Sequence, residues 1–428
     1  MSDTSKRRGR RTVARHGQLK AQSPFARLMR IVGIGLACVL VAGIGTAAYA
    51  AWDLSSTFAE NAVDIHAEGT TPPEIGQLGA QDDVNLLLTG IDICEWDSHE
   101  KFGDRCPSDR SAYGEDGRQL EAGLNDVNLL VHISPEPRKI TAIAFPRDLM
   151  IPSPECTNAE GVVSPASDRK MINEAYAAGG LACVTKTIDT LTTPHDAGLS
   201  IDYAATVTWN GVIEITNALG GVEVCVDEGI NDVEAGMLYL EPGTHQLAGE
   251  QALAFLRSRH GVGNGGDLGR ISNQQVYMSA LARKLMSEQV LTNPGTVLSL
   301  ARTTLTNVDP SSNLTNPVTL VQIALAAKDV PLSDIVFLQY PVVEDPYDAN
   351  RVVPDEVAAA EMFAMMKANE SVDPAAPATE APTQSAEAPQ APENTEEPQP
   401  GVTETPDAEL AAPGRTAEDA SCAQGAGL

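Results

Sequence analysis

The chain has 428 residues, and its 58 acidic and 29 basic residues give a formal net charge of −29. A chain this acidic is repelled by the phosphate backbone of nucleic acids, which argues strongly against a nucleic-acid-binding surface. Its seven cysteines are too few for a disulfide-dominated scaffold, and no Cys or His spacing is typical of a zinc site. The length accommodates one large or two ordinary domains with additional segments.

The first 52 residues have the pattern of a membrane anchor. Residues 1–30 are basic, and residues 31–52 are uncharged and mostly apolar, long enough to cross a hydrocarbon core of about 30 Å as a helix. Because the basic residues come first, we expect a single-pass cell-membrane protein with a cytoplasmic N-terminus and an extracytoplasmic remainder. A cleaved signal peptide is the alternative, since small residues around Tyr49 resemble a cleavage site.

Residues 53–80 are predicted to be an extracytoplasmic spacer, and residues 81–369 a folded domain in which strands alternate with helices. Strands are predicted at 84–88, 127–134, 139–145, 204–209, 222–226 and 335–342. Helices are predicted at 170–178, 184–191, 211–219 and 249–255, from 271 onward, and at 355–366. This alternation predicts an α/β sandwich with a mixed sheet.

Beyond Glu370 the composition changes to Pro, Ala, Glu, Thr and Gln, with almost no large apolar residue. Such a segment buries too little apolar surface to offset the entropy of ordering. Residues 370–428 are therefore predicted to be a disordered tail.

A basic stretch inside the folded domain is the strongest candidate for a binding site. Arg257 and Arg259 alternate, which on an extended segment places both guanidinium groups on one side. Four glycines separate His260 from Asp267, where a helix is predicted to begin with Arg270 in its first turn. Three arginines at a helix N-terminus favour a phosphate or pyrophosphate ligand. A surface loop whose arginines pair with acidic residues is the alternative.

Carboxylates follow or begin the predicted strands. Asp92 stands just past the first strand, Asp126 immediately before the second, and Arg147 and Asp148 after the third. Two carboxylates can share Mg²⁺, which completes its coordination with substrate phosphates. A salt-bridge network at the sheet edge is the alternative interpretation.

The insertion at 94–123 is polar and weakly periodic, and Cys94 and Cys106 are predicted to close its first part with a disulfide. Three further cysteines in the folded domain leave one thiol over if two of them pair, and the sequence does not decide which: Cys156, Cys183 and Cys225.

The order and spacing of several motifs resemble the LytR-CpsA-Psr family of cell-wall polymer ligases over residues 84–367. The motifs are Gly90-Ile91-Asp92, Asn125-Asp126, Phe145-Pro146-Arg147-Asp148, Lys170-Met171-Ile172-Asn173, Leu219-Gly220-Gly221-Val222, Gly249-Glu250-Gln251-Ala252-Leu253-Ala254-Phe255, Arg257-Ser258-Arg259-His260, and Asp267-Leu268-Gly269-Arg270 with Gln274.

The resemblance implies an α-β-α sandwich that acts as a membrane-anchored, Mg²⁺- or Mn²⁺-dependent phosphotransferase. It would transfer a glycopolymer from a polyprenyl-pyrophosphate carrier to a sugar hydroxyl of peptidoglycan through a phosphodiester. By motif, Asp92 and Asp126 resemble the metal ligands. Four residues resemble the pyrophosphate ligands: Arg147, Arg257, Arg259 and Gln274. Lys170 and Arg270 resemble residues that line the same pocket. Asp267 resembles the acid that positions an arginine or helps to activate the acceptor.

The chain departs from the family pattern at positions where the family has arginines. Leu124 stands two residues before the second aspartate, Ile93 and Cys94 follow the first, and Asn273 lies in the helix. Either the substrate or rate differs, or arginines of the insertion compensate: Arg105, Arg110 and Arg118. The alternatives to a transferase are a non-catalytic protein that binds polyprenyl phosphates or wall polymer, and a hydrolase of the carrier pyrophosphate.

Overall fold

The computed structural model describes residues 56, 59, 62–65, 82–121, 123–192, 199–263, 265, 267–287, 294–372, 374–375 and 410–427, all within one compact unit, Leu54–Leu428. The predicted membrane anchor at 31–52, the basic segment before it and most of the predicted spacer lie outside these residues. Among the described residues, no helix combines the length and the hydropathy needed to cross a bilayer.

The strands, in chain order, are β1 Val84–Ile91, β2 Asn125–Ile133, β3 Ile140–Phe145, β4 Met150–Ser153, β5 Cys156–Thr157, β6 Val163–Ser164, β7 Ser167–Met171, β8 Tyr203–Thr208, β9 Val222–Val226, β10 Ile230–Asp232, β11 Leu238–Leu240, β12 Gly243–Leu247, β13 Val308–Pro310, β14 Ile335–Gln339, β15 Val342–Asp345, β16 Asp348–Pro354, β17 Pro374–Ala375 and β18 Leu410–Thr416. The α-helices are α1 Ala175–Thr192, α2 Trp209–Ala218, α3 Gly249–Arg257, α4 Asp267–Leu285, α5 Pro294–Thr306, α6 Pro317–Ala327 and α7 Glu356–Lys367.

The central sheet has the strand order β13-β8-β1-β2-β3-β14-β18-β17. Strand β1 runs antiparallel to β2 and parallel to β8, while β3 runs antiparallel to β2 and parallel to β14. The sheet is therefore mixed, as the sequence predicts. Short two-stranded sheets, among them β9 with β12 and β10 with β11, surround it.

Helices cover both faces of this sheet because its strands are apolar on both sides. Leu87, Leu130 and Ile143 point to one face and pack against α1 and α7. Their neighbours Leu129 and Ala142 point to the other face, where α4 packs, in keeping with the two-residue period of a strand. The predicted α-β-α sandwich is confirmed for the described residues.

The strand directions gather the candidate functional residues at one edge of the sheet. Strands β1, β3, β8 and β14 end there, and β2 begins there, since Gly90 pairs with Val127 and Phe145 pairs with Asn128. Asp92 follows β1, and Asp126 is the second residue of β2. Residues distant in sequence therefore meet at one place.

Two local predictions are wrong. Lys170 lies on β7, which pairs with β4, and not in a helix; α1 begins only at Ala175. Arg257 is the last residue of α3, so Arg257 and Arg259 do not share an extended segment. Lys170 is in a strand because β7 pairs with β4, where Lys170 lies opposite Ile151. Helix α3 continues to Arg257 because its apolar face extends through Leu256, which packs against the core.

The prediction that the whole segment 370–428 is disordered is wrong for residues 410–427, while 376–409 lie outside the described residues. Strand β18 pairs antiparallel with β14 and parallel with β17, and a disulfide after it joins Cys422 to Cys225. Composition does not reveal this, because a strand between two others is held by backbone hydrogen bonds and needs few large side chains.

The predicted disulfide Cys94–Cys106 is confirmed. A second bond joins Cys156 to Cys183, so Cys422 supplies the partner that Cys225 lacked in the sequence interpretation.

Candidate active site

A cavity of about 720 Å³ lies between the central sheet and helices α2, α3 and α4. Its interior is apolar, lined by side chains such as Leu129, Ile215, Leu256 and Met278. At the sheet edge the lining becomes charged, with five arginines and four carboxylates: Arg105, Arg147, Arg257, Arg259, Arg270, Asp92, Asp126, Asp232 and Glu234. The cavity thus joins an apolar interior to a charged mouth.

Asp92 and Asp126 are neighbours at the mouth. Burial raises the pKa of Asp92, and the charge of Asp126 raises it further, while the N–H of Leu124, which donates to Asp92 Oδ1 at 2.5 Å, opposes the shift. Oxygen Oδ1 of Asp126 is buried without a hydrogen-bond partner among the described residues. Two crowded carboxylates, one with an unpartnered oxygen, are a suitable donor pair for a divalent cation.

Arg147 and Asp267 form the second part of the mouth. Arg147 Nη1 donates to Asp126 Oδ2 at 2.9 Å, and Arg147 Nε lies 3.4 Å from Asp267 Oδ1. Burial opposes the charge of Arg147, but the carboxylates of Asp126 and Asp267 outweigh it and raise its pKa. Asp267 also lies 2.8 Å from Arg270 Nη2, so this buried carboxylate holds two guanidinium groups in place.

Arg257 and Arg259 have a different environment. Within the described part of the chain, neither lies within 4.0 Å of a carboxylate, and Nε of Arg259 is buried without a hydrogen-bond partner. Arg257 instead stacks over Trp209, with its guanidinium carbon 4.1 Å from the ring centre. Burial, followed by the charge of Arg105, lowers the pKa of Arg257 to about 10, which leaves it cationic at neutral pH. These two charges are available to an anion.

The turn that presents Arg259 is held by Asp232, at the end of β10. One oxygen of this buried carboxylate accepts hydrogen bonds from the N–H of Arg259 at 2.8 Å and from that of His260 at 3.0 Å. It also accepts from Gly261 N at 3.3 Å and from the hydroxyl of Ser258 at 2.8 Å. Asp232 therefore positions the turn that carries Arg259, residues 258–263, which we call the arginine loop. Asp232 itself is not one of the predicted ligands.

The remaining predicted residues divide into those in the cavity and one outside it. Gln274 lines the cavity and donates to the carbonyl of Leu256 at 3.0 Å, and Arg270 donates to the carbonyl of Asp126 at 3.0 Å. Lys170 does not line the cavity, and its amine lies 3.5 Å from Glu174. The structure thus brings together every predicted site residue except Lys170. Asp267 does not itself line the cavity, but it contacts Arg147 and Arg270, which do.

Sequence reasoning missed Trp209 and Asp232. Trp209 directly follows β8, which ends at the same sheet edge as β1, so its place after a strand was an available signal. Asp232 had no such signal, because only the fold brings β10 against the turn after α3.

Known proteins resemble this chain in sequence and in fold. The model of the LytR_cpsA_psr family matches residues 49–368. The crystal structure of protein gbs0355 from Streptococcus agalactiae superposes with a TM-score of 0.50 at 20% identity, covering 69% of this chain and 91% of that chain. That likeness supports the mixed α/β fold.

Among curated relatives, the cell wall biosynthesis protein LcpA of Corynebacterium glutamicum is 27% identical over 194 residues, which cover 41% of this chain and 36% of LcpA. The polyisoprenyl-teichoic acid–peptidoglycan teichoic acid transferase TagU of Enterococcus faecalis is 25% identical over 270 residues, covering 63% of this chain and 74% of that protein. Similarity to LcpA thus spans about a third of its length. Because the family model spans well over half of the sequence, the chain belongs to the LytR_cpsA_psr family.

Proposed function

We propose that the protein is a membrane-anchored phosphotransferase that moves a glycopolymer from a polyprenyl-pyrophosphate carrier to a hydroxyl of peptidoglycan. The observation that supports this proposal is a cavity that joins an apolar interior to a mouth of arginines and paired carboxylates. A polyprenyl chain matches the apolar interior, and a pyrophosphate matches the mouth. Curated relatives named as transferases support the prediction of an enzyme.

Asp92 and Asp126 are the residues that would hold Mg²⁺ or Mn²⁺. Among the described residues, no cluster of three or more His, Cys, Asp or Glu side chains is arranged to hold a metal alone. Two carboxylates nevertheless suit Mg²⁺, which usually takes its remaining ligands from water and substrate phosphates. A bound cation would neutralise charge on the pyrophosphate oxygens.

The arginines of this chain supply the rest of the charge stabilisation. Transfer forms a bond from the acceptor oxygen to the phosphorus that bears the glycopolymer, and the bond from that phosphorus to the bridging oxygen breaks. Polyprenyl phosphate leaves with the bridging oxygen, and the proton of the acceptor hydroxyl passes to water. Arg257 and Arg259, which lack carboxylate partners among the described residues, would bind the phosphate oxygens. Asp267 keeps Arg147 and Arg270 pointed at the same place, so little reorganisation is needed during the reaction.

We also propose that the folded domain lies outside the cytoplasm. Its three disulfides support this location, since disulfides persist in oxidising compartments. The net charge of −29 for the chain disfavours nucleic acids as partners.

The proposal is tested with the purified protein, a polyprenyl-pyrophosphate-linked glycan, peptidoglycan fragments and Mg²⁺, by measuring the phosphodiester product. We expect Arg257→Ala to lower the rate by about 100-fold or more, because one aligned charge at the reacting group is lost. Arg302→Ala, an exposed position on α5, is the matched control and should retain full activity. Full activity of Arg257→Ala would contradict the proposal.

One observation favours a second candidate, a protein that binds the carrier without turning it over. Where the family has an arginine, Leu124 contributes only a backbone N–H to Asp92. In the same assay, binding of the carrier with no cleavage would select this candidate. Cleavage that yields free glycopolymer phosphate and no product on peptidoglycan would select the hydrolase.

A further inference from the structure

The insertion after β1 contains a loop closed by the Cys94–Cys106 disulfide, which we call the stapled loop, residues 94–106. Cys94 is three residues beyond the end of β1 and two beyond Asp92. Arg105 is the last residue of a 3-10 helix, His99–Arg105, and directly precedes Cys106. The disulfide therefore ties Arg105 covalently to the strand end that carries Asp92.

Arg105 reaches the mouth of the cavity. It lines the cavity together with Asp92 and Arg257, and its guanidinium donates to the carbonyl of Glu234 in the hairpin between β10 and β11. The side chain is exposed, and among the described residues no carboxylate lies within 4.0 Å of it. It thus spans the mouth from one wall to the other with most of its donors unused.

The other two arginines of the insertion are engaged elsewhere. Arg118 makes two hydrogen bonds to the carboxylate of Asp309, and Arg110 stacks 5.7 Å from the Trp96 ring centre and donates to the carbonyl of Tyr113. Neither lines the cavity. Of the three insertion arginines, Arg105 alone is placed to meet a substrate.

Electrostatics agree with an anion between Arg105 and Arg257. After burial, the charge of Arg105 is the largest influence that lowers the pKa of Arg257. Two cations that face one cavity repel each other in the free protein, and an anion bound between them removes that repulsion. A pyrophosphate has enough oxygens to contact both guanidinium groups.

We propose that Arg105 is a substrate-binding residue, which the stapled loop holds across the cavity mouth to contact a phosphate group of the pyrophosphate-linked donor. This inference rests on the proposed function of the cavity. It also gives the disulfide a role at the site. Cys94 lies two residues after Asp92 and carries no charge, but its bond to Cys106 holds the charge of the adjacent Arg105 at the mouth.

The stapled loop also supports Arg257 indirectly. The ring of Phe102 lies 5.1 Å from that of Trp209, over which Arg257 stacks. Removing the whole loop would therefore disturb two arginines together. A point substitution at Arg105 leaves the contact between Phe102 and Trp209 in place and isolates the proposed contact.

The experiment measures the affinity of the full chain for polyprenyl pyrophosphate and polyprenyl monophosphate. We expect Arg105→Ala to weaken pyrophosphate binding by about 10- to 100-fold, the loss of one charge-assisted contact, and monophosphate binding by less. Arg110→Ala, the same charge change in the same insertion, should bind both ligands as the wild type does. Equal loss in Arg110→Ala, or no loss in Arg105→Ala, overturns the inference.

A double-mutant cycle tests the disulfide. Removing the bond with Cys94→Ser and Cys106→Ser should reproduce most of the loss of Arg105→Ala, and adding Arg105→Ala should then cost little more. If Arg105→Ala costs the same with and without the bond, the disulfide does not position Arg105. Should the disulfide-free variant fail to fold, the two arginine variants still decide the role of Arg105.

The results separate this inference from the proposed function. If Arg257→Ala abolishes pyrophosphate binding while Arg105→Ala does not change it, the function stands and the role of Arg105 is wrong. If the wild-type protein does not bind polyprenyl pyrophosphate, both are wrong.

Discussion

At the scale of single residues, the charges in the mouth differ in how far the protein neutralises them. Asp267 holds Arg147 and Arg270, whereas Arg257 and Arg259 have no carboxylate partner among the described residues. Paired arginines keep the geometry of the mouth in the absence of substrate. Arginines without a carboxylate partner can form their charge-assisted hydrogen bonds with a ligand. A preorganised site stabilises in this way the charge that develops during reaction.

Asp232→Ala should destabilise the protein and impair the site, although Asp232 belongs to neither predicted ligand set. Its carboxylate accepts from Ser258, Arg259, His260 and Gly261, and its loss leaves buried donors without partners. We expect the free energy of unfolding to fall by about 3 kcal/mol, measured by chemical denaturation. Asp329→Ala, at an exposed carboxylate, is the control and should change it little. Equal stability of both variants would refute this role.

Asp202 gives a pH-dependent prediction. Burial raises the pKa of Asp202 to about 6, so between pH 4 and pH 6 the folded state holds a proton that the unfolded state releases. Stability from this group is therefore present at low pH and lost as pH rises. Asparagine cannot ionise and retains an acceptor for the N–H of Asn85, which lies 2.8 Å from Asp202 Oδ2.

The measurement for Asp202 is the difference in unfolding free energy between Asp202→Asn and wild type at pH 4, 5.5 and 7. It should move in favour of the variant by up to about 3 kcal/mol across this range. Carboxylates that do not interact with Asp202 contribute equally in both proteins, so their contributions cancel in the difference. A difference that is flat with pH would show that Asp202 is not perturbed.

At the scale of elements, the C-terminal segment reaches the arginine loop. Gly263 N donates to the carbonyl of Gln424 at 3.3 Å, and Ala426 N donates to the carbonyl of Gly261 at 2.9 Å. The disulfide Cys225–Cys422 anchors the segment just before these contacts. The far end of the chain therefore helps to shape the turn that carries Arg259.

Gly425→Ala tests this contact. A Cβ at position 425 would lie 1.8 Å from the carbonyl oxygen of Gly229. The backbone around residue 425 must therefore move away from Gly229. We expect a lower melting temperature and weaker pyrophosphate binding, because the hydrogen bonds to Gly261 and Gly263 are strained. Ala426→Ser, at an exposed neighbouring position, should have little effect. Wild-type behaviour of Gly425→Ala would mean that the segment does not shape the loop.

The sequence predicted elements well where apolar periodicity was decisive and poorly where pairing was decisive. Strand β9 is observed at its predicted limits, 222–226, and β1 begins at Val84 as predicted but continues to Ile91. The sequence predicts a helix at Lys170, because a short hairpin strand has no periodicity of its own to distinguish it. Strand β18 is not predicted at all, because its stability comes from pairing with β14 and not from its composition.

At the scale of the whole molecule, residues from distant parts of the chain meet at the mouth because strand directions bring their ends to one edge. Motif order identified Asp92, Asp126 and Arg257 as members of one site, but could not place Arg105 or Asp232 beside them. Those two positions depend on a disulfide and on a hairpin, whose geometry is set by tertiary contacts. Prediction was therefore strongest for residues on the central sheet.

The three disulfides should contribute unequally to stability. In the chain-entropy description, a bond stabilises more when it closes a longer loop of the unfolded chain. Cys225–Cys422 spans 197 residues and Cys94–Cys106 spans 12, so their removal should cost about 5 and about 3 kcal/mol respectively.

The test replaces each pair by serine and compares free energies of unfolding from denaturant titrations. If the stapled loop served the global fold, its loss would rival that of the long-range bond. We expect the opposite pattern: the Cys225–Cys422 variant should lose more stability, because its bond restricts nearly half of the chain. The Cys94–Cys106 variant should lose less stability but a larger share of its pyrophosphate affinity, because its bond acts at the mouth. Stability losses in the reverse order would show that local strain or packing, and not loop length, sets what each bond contributes.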